Sequence, residues 1–224
     1  MLTLGVDTAT SWGSVGLFRD GPLGEIACKR VARKNDPLVP SLQQLLNILH
    51  IEKTSLELIA VALGPGSFTS LRVGVSLAKG LAMALKLPLV GVPSLPMLKQ
   101  RADHWKDHIC ALITDRPTQA YVRFYEQGKL SEKIEVLDVD ALRQRLEGFS
   151  APVLLIGPGA NQLYEAMGQV DRVEVASEVM CQPSGMEVAR LGIEKFKATG
   201  ADDLAALEPL YHVAPAIDPG VVKR

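Results

Sequence analysis

The chain of 224 residues is predicted to be an α/β protein made of two tandem units, each a mixed β-sheet with helices on its faces. Three observations carry this. Short apolar runs rich in branched residues alternate with segments of helical periodicity along most of the chain. Their order repeats, so that each half reads β-β-β-α-β-α-β-α. Each half also opens as an antiparallel meander before strand and helix alternate, and that alternation is how parallel strands are added to a sheet. The expected units are 1–106 and 107–224; they share an architecture and little residue identity.

Leu2 to Val6, Ser14 to Arg19 and Gly24 to Val31 read as strands, the last two joined through Asp20-Gly21-Pro22. In the helix expected over Pro37 to His50, Leu42, Leu45, Leu46 and Leu49 fall at i, i+3, i+4 and i+7, one helical face. Leu58 to Leu63 is an uninterrupted apolar strand that runs through Gly64-Pro65-Gly66-Ser67-Phe68-Thr69 into a helix reaching Ala84. Leu89 to Val92 and Ser94 to Trp105 complete the first unit as strand and helix. In the second, Ile109 to Ile113, Gln119 to Glu126 and Leu130 to Leu137 are strands, with Gln127-Gly128 turning the second into the third. A helix from Val139 to Leu146, a strand from Val153 to Ile156, a helix from Asn161 to Met167 and a strand from Val173 to Val175 follow. Ser184 to Ala198 closes the series as a helix, with Val188, Leu191 and Phe196 turned towards a core.

The helix after the Gly-Pro-Gly turn is the most unusual element. Gly64 and Gly66 let backbone come close to whatever lies above the loop, an anion or a partner residue, and Ser67 and Thr69 are candidate hydroxyl caps. Beyond them Arg72, Lys79 and Lys86 recur every seven residues with Ser76 and Met83 between, and nearly everything else is Leu, Val, Ala or Gly. A helix covering one face of a sheet needs an apolar arc of roughly 100° or more. This one has much more, so it is expected to be buried on a second side, against a neighbouring helix of the same chain or against another protein.

Composition excludes several classes. The content is 47% hydrophobic and the formal net charge is -1, so a sizeable core is expected and no global positive field holds the chain on nucleic acid. Met1 runs straight into a strand without the basic head and cleavage site of a secretion signal, and the apolar regions are broken short of a membrane span. A cytoplasmic protein without membrane association is expected. Cys28, Cys110 and Cys181 lie too far apart for a zinc or dithiol motif, and are expected to be reduced and buried. The four histidines have no nucleophile motif beside them. His104 and His108 are four apart, the spacing of two ligands on a helix, but no third ligand follows and Trp105-Lys106-Asp107 reads as a helix end. Solvated surface histidines are expected.

Val6-Asp7-Thr8-Ala9-Thr10 followed by Ser14-Val15-Gly16-Leu17, and Gly64-Pro65-Gly66-Ser67-Phe68-Thr69 followed by Leu71-Arg72-Val73-Gly74, together resemble the bacterial TsaB (YeaZ) family. The resemblance covers most of the first half; the second half matches in layout only. It implies two tandem ribonuclease-H-like domains, the layout of the actin, hexokinase and Hsp70-like superfamily, which binds nucleotide in a cleft between the halves. It also implies a non-catalytic member of the machinery that installs threonylcarbamoyl on adenosine 37 of tRNAs reading codons that begin with adenine. In that machinery a TsaD paralogue performs the transfer and TsaE, an ATPase, joins them. Such a chain uses no cofactor, meets tRNA only through the complex, and forms homodimers through its first-half helices when alone. The partner interface is accordingly expected at Leu42, Leu45, Leu46, Leu49, Arg72, Val73, Leu77 and Leu81.

By the same resemblance Asp7, Thr8 and Ser11 stand at the first phosphate loop, and Gly157 and Gly159, in Gly157-Pro158-Gly159-Ala160-Asn161, at the loop that lies against adenosine. The second phosphate loop falls on Thr114-Asp115-Arg116-Pro117, which has no glycine, so side chains and a rigid proline impede backbone approach to phosphate. A vestigial nucleotide site without ATPase activity is expected. The His-x-x-x-His metal pair of TsaD aligns with Ser94 and Leu98, which cannot hold iron or zinc. The chain departs from the TsaB pattern at Ser70, where glycine is usual, at Lys34-Asn35, where a histidine is usual, and at Thr114-Asp115-Arg116 and Gln119-Ala120-Tyr121. The competing expectations are an ATP-dependent small-molecule kinase, or other nucleotide-binding enzyme of the superfamily, and a metal-dependent TsaD-like transferase.

Overall fold

The computed structural model describes residues 1–29, 36–116, 118–126, 129–130 and 133–210. Lys34-Asn35 and the Gln127-Gly128 turn lie outside them. The first sheet has the order β3-β2-β1-β4-β5. β1 (Thr3–Asp7), β2 (Trp12–Phe18) and β3 (Pro22–Lys29) form the expected antiparallel meander. β4 (Leu58–Gly64) and β5 (Leu89–Pro93) run parallel to β1, with α1 (Leu38–Ile48) leading into β4 and α2 (Phe68–Leu85) crossing from β4 to β5. After α3 (Ser94–Arg101), the second sheet is built from β6 (His108–Arg116), β7 (Gln119–Glu126), β8 (Lys129–Leu130), β9 (Glu135–Asp138), β10 (Val153–Ile156) and β11 (Val173–Val175). Its order is β11-β10-β6-β7-β8, with β9 also on β7. The helices α4 (Val139–Glu147), α5 (Ala160–Met167), α6 (Glu178–Cys181) and α7 (Gly185–Thr199) complete the chain. The α/β class with two mixed sheets is the one expected.

Three local expectations change. The single strand expected from Leu130 to Leu137 is two short ones, β8 and β9, each antiparallel to β7. α3 stops at Arg101 instead of Trp105. α2 ends at Lys86, whose φ of 55° turns the chain left-handed, so Lys86 leaves the stripe of Arg72 and Lys79 and closes the helix.

Two larger ones concern packing. The leucine stripe of α1 faces inward: Leu42, Leu45 and Leu46 are buried in the first core with Leu2, Leu4, Val15 and Leu17, and Leu49 packs against it. An i, i+3, i+4, i+7 pattern reports that a face is covered; here the cover is the chain's own sheet, so these leucines are not free to meet a partner. The last helix, expected to close the second unit, lies instead on the first sheet, where Val188 joins Leu58, Ala60, Ala62, Val90 and Val92 in a core. In exchange α3 gives Leu95 and Leu98 to the second core, beside Ile109, Leu112 and Val122. The expected division at 106/107 follows the chain, but the packing crosses it twice. Glycines make the exchange possible. A Cβ at Gly5 would lie 1.8 Å from the Gly185 carbonyl oxygen, and one at Gly16 would lie 2.2 Å from the Met186 nitrogen, so α7 starts almost on the strand backbone.

Candidate functional site

The expected nucleotide residues are engaged by the chain itself. Asp7 ends β1 buried, its Oδ1 accepting the Ala9 N–H at 2.9 Å. Thr8 donates its hydroxyl to the Ser70 carbonyl in the first turn of α2, at 2.8 Å, and Gly74 leaves room for it, because a Cβ there would lie 2.2 Å from Thr8 Oγ1. The Ala9 carbonyl accepts from the Ser67 N–H at 2.8 Å, and a Cβ on Gly66 would come within 2.1 Å of that oxygen. The Gly64–Thr69 loop therefore presses down on the turn after β1; the partner residue over it is Ala9. Ser67 makes no side-chain cap and Thr69 is exposed, so the hydroxyl caps expected there are replaced by this backbone contact. Ser11 is exposed in the turn between β1 and β2.

On the second sheet the Gly157–Gly159 loop closes over β6. Gly157 adopts φ 135° and a Cβ there would lie 1.9 Å from the Leu112 carbonyl oxygen. At Gly159, with φ 93°, it would lie 2.2 Å from Thr114 Oγ1. Thr114 in turn donates its N–H and its hydroxyl to the Pro158 carbonyl, at 3.0 and 3.2 Å. Thr114, in the stretch that lacks the glycine of a second phosphate loop, fills the space under the facing loop. The structure thus joins Asp7 and Thr8 at one place and Gly157 and Gly159 at another, each group sealed by its own sheet.

A third anion position, the start of α7, is also taken. Gly185 N–H donates to Ser14 Oγ at 3.0 Å, Met186 N–H to Glu25 Oε1 at 3.2 Å and Glu187 N–H to Ser184 Oγ at 3.2 Å. Ser14 and Ser184 donate their hydroxyls to Glu25 at 2.7 and 3.3 Å. The orphan amides and positive dipole end of the helix already have a carboxylate, so an incoming phosphate would meet negative charge. Ser14, Glu25 and Ser184 were not among the expected site residues. Ser184-x-x-Glu187 was readable as a capping box; nothing in the sequence marks Glu25.

This environment acts on Asp7. Burial pushes its carboxyl up from 3.8 to about 6; the N–H groups of Ala9 and Ser184 pull it down, Glu25 raises it further and Arg101 lowers it. Because the folded value lies above the unfolded one, the contribution of Asp7 to stability is greatest below 3.8 and is lost as pH rises through about 6. Asp7→Asn removes the charge and keeps an acceptor for Ala9, though not one for Ser184 as well. The variant is expected to gain about 1–2 kcal/mol over wild type at pH 8 and to lose that advantage near pH 4. Urea denaturation across this range checks it; a pH-independent difference would refute the assignment.

The positions aligned with a metal pair hold nothing suited to one. Leu98 lies in the second core and Ser94 is buried, its hydroxyl without a partner among the described residues. No group of three His, Cys, Asp or Glu side chains converges among the described residues. His104 is exposed in the turn after α3, while His108 opens β6 half-buried, its ring 4.8 Å from that of Phe149. The two histidines share no helix face, and His108 is a packed residue instead of the expected solvated one.

What the described residues leave open is the outer side of α1 and α2. α2 buries Leu71, Gly74, Val75, Ala78 and Ala82 and exposes Arg72, Val73, Ser76, Gly80, Met83 and Ala84, with Leu77 and Leu81 half-buried. It is long and apolar enough to span a membrane by length and composition, yet it is the crossover helix between two parallel strands. The second burial expected for it is not supplied by the described part of the chain. α1 contributes to the same core, hence the same side of the sheet, and exposes Val39 and Ile48 with Gln43 and Asn47. α1 carries no charged residue, and no Asp or Glu occurs from Leu58 to Ala102. At the margin the Arg72 guanidinium lies 3.9 Å over the Phe68 ring, and Lys79 donates to the Ala205 carbonyl at 3.2 Å.

Comparison with known proteins places these features. The family model described as TsaD, tRNA N6-adenosine threonylcarbamoyltransferase, matches residues 29–206. The tRNA threonylcarbamoyladenosine biosynthesis protein TsaB of Bacillus subtilis is 30% identical over 94% of this chain and 93% of its own length. Its Escherichia coli namesake is 26% identical over 94% of each. The solved structure of YeaZ from Pseudomonas aeruginosa has the same fold, with a TM-score of 0.74 at 24% identity over 94% of this chain and 99% of that one. With a Gly-Pro-Gly loop seated on the first turn, two sheets that exchange helices and relatives matched over 94% of its length, the chain belongs to the TsaB (YeaZ) family, within the wider family whose model is named for the TsaD transferase.

Proposed function

We propose that this chain is a non-catalytic scaffold in the threonylcarbamoylation of adenosine 37 in tRNA, docking a TsaD-type transferase through the outer face of α1 and α2 and working with a TsaE-type ATPase. The observation that carries the proposal is the apolar face of α2 around Val73, Gly80 and Met83, which the described residues leave uncovered, in a chain whose Asp7 and Thr8 are hydrogen-bonded to Ala9 and Ser70. Family membership supports the pathway. The residues aligned with the transferase's metal pair, one a core leucine and the other a buried serine, support a division of labour in which the chemistry belongs to the partner.

Magnitudes agree with such a role. Each of Val39, Ile48, Val73 and Met83, removed from water, contributes roughly 1.5–3 kcal/mol before association costs are subtracted. A few suffice for a stable complex. The same face serves self-association when the partner is absent. With a net charge of -1 the chain reaches tRNA through the assembly. Depleting the protein and measuring threonylcarbamoyladenosine in bulk tRNA tests the function: a severe loss is expected, and an unchanged level would rule the role out.

A further inference from the structure

The two edges of the first sheet are treated differently. At β5 the outward backbone is consumed. Leu89 O accepts from the Asp202 N–H at 2.9 Å, Gly91 N–H donates to Asp202 Oδ2 at 2.7 Å, and Gly91 O accepts from Lys195 Nζ at 3.0 Å. Lys195 and Asp202 pair with each other at 2.6 Å, and Pro93 has no N–H to offer. That edge is closed against another strand. β3 is the opposite edge and is eight residues long. Among the described residues its backbone bonds only to β2. It has no proline after its first position, no bulge beyond Gly24 and no covering segment among the described residues, the devices that usually blunt an edge.

Its charges are ordered for self-pairing. Glu25, Ala27 and Lys29 are exposed along one side of the strand, and Ile26 and Cys28 lie half-buried along the other. In an antiparallel pair of two β3 strands about a two-fold axis through Ala27, Glu25 of each copy stands directly opposite Lys29 of the other, and Ile26 opposite Cys28. Directly opposed residues share a face, so both ion pairs form on the α7 side and the apolar pairs on the α1 side. Lys29 has no acidic partner among the described residues. A parallel in-register pairing would set Glu25 on Glu25 and Lys29 on Lys29, and an antiparallel slip of one residue would set Ile26 opposite Ala27, joining the α1 side of one sheet to the α7 side of the other.

We propose that the β3 edge is a second self-association surface, at which two copies of this chain join their first sheets into one continuous sheet through an antiparallel β3–β3 pair centred on Ala27. The surface is the backbone edge of the sheet and not the outer side of α1 and α2.

The test uses the full chain with the α2 face disabled by Gly80→Arg, followed by sedimentation velocity across a wide range of concentration. This protein is expected to dimerise still. Adding Lys29→Glu, which sets two acidic residues opposite each other twice, is expected to raise the concentration needed by roughly tenfold or more. Mixing that protein with a Glu25→Lys variant restores opposite charges at both positions and is expected to give a mixed dimer. Glu25→Lys also disturbs the start of α7, so a second readout stands without it. Ala27→Cys lies across the axis from its own twin at a Cα separation of roughly 4.5–5.5 Å, within disulfide reach, and should cross-link on mild oxidation, whereas Leu23→Cys should not. A Gly80→Arg chain that stays monomeric, a Lys29→Glu variant that associates undiminished, or cross-linking through Leu23→Cys in place of Ala27→Cys would overturn the proposal.

Discussion

Gly80→Arg is expected to leave the chain as stable as wild type and to abolish its co-purification with a TsaD-type partner. A Cβ built on Gly80 meets nothing within 4 Å, so the new side chain extends into solvent in the free protein. The helix itself gains, because glycine in a helix interior costs about 0.5–1 kcal/mol relative to other residues. In the complex the balance reverses. The face around Gly80 exposes Val73, Ser76, Met83 and Ala84, none of them charged, and a guanidinium pressed into it has no counter-ion from this side. Burying an uncompensated charge and forcing the two surfaces apart costs roughly 3–5 kcal/mol, from a hundredfold to several thousandfold in Kd. Calorimetric titration with the partner and a threonylcarbamoyladenosine assay in cells carrying only the variant check both sides of the statement. Retained binding with an intact melting curve would move the docking surface elsewhere.

The choice of residue matters, because a charge at Leu45 would give a false positive. That side chain is buried in the first core against β3, where a Cβ on Gly24 would already touch Leu45 at 3.1 Å. Leu45→Asp is a core lesion, and loss of partner binding would follow from unfolding.

The difference between these two leucine-rich helices also shows what the sequence could and could not reveal. Periodicity at i, i+3 and i+4 reports that one side of α1 is covered, and it is silent on whether the cover is intramolecular. For α2 the surplus of apolar residues over the arc a sheet can cover was the informative quantity, and the uncovered residues are the ones left over: Val73, Met83 and Ala84. The meander, the strand-loop-helix at Gly64–Thr69, the β1–β2 turn at Asp7 and the β-α loop at Gly157 were legible because each couples a short apolar run to turn residues. What fills those loops was not. Thr8 reaches Ser70 and Thr114 fills the space at Gly159, contacts between residues 62 and 45 positions apart, and no local pattern encodes them. Local signals were missed as well: the polar run Ser131-Glu132-Lys133 within the expected strand, and the capping box Ser184-x-x-Glu187.

Gly5→Ala is expected to destabilise the protein by about 4 kcal/mol or more, although it adds a single methyl group. The methyl carbon would lie 1.8 Å from the Gly185 carbonyl oxygen and 2.4 Å from the Ala189 nitrogen, both backbone atoms of α7 that no rotamer change can move. Relief requires lifting the helix from the sheet, which breaks the Gly185–Ser14 and Met186–Glu25 bonds and uncovers Ala60, Val90 and Val188. Gly21→Ala, with nothing within 4 Å, is the control and is expected to change stability by less than about 0.5 kcal/mol. Urea denaturation of both variants makes the comparison, and a Gly5→Ala protein near wild-type stability would mean that α7 is not seated as described. The same contact bears on domain division. A chain ending at Lys106 lacks α7 and leaves one face of β1, β4 and β5 in water, so it is expected to be insoluble alone and to be rescued by co-expression of residues 107–224. The α1–α2 face is displayed by a sheet that the last third of the chain must complete, which makes a folded second half a condition for partner docking even if that half touches no partner.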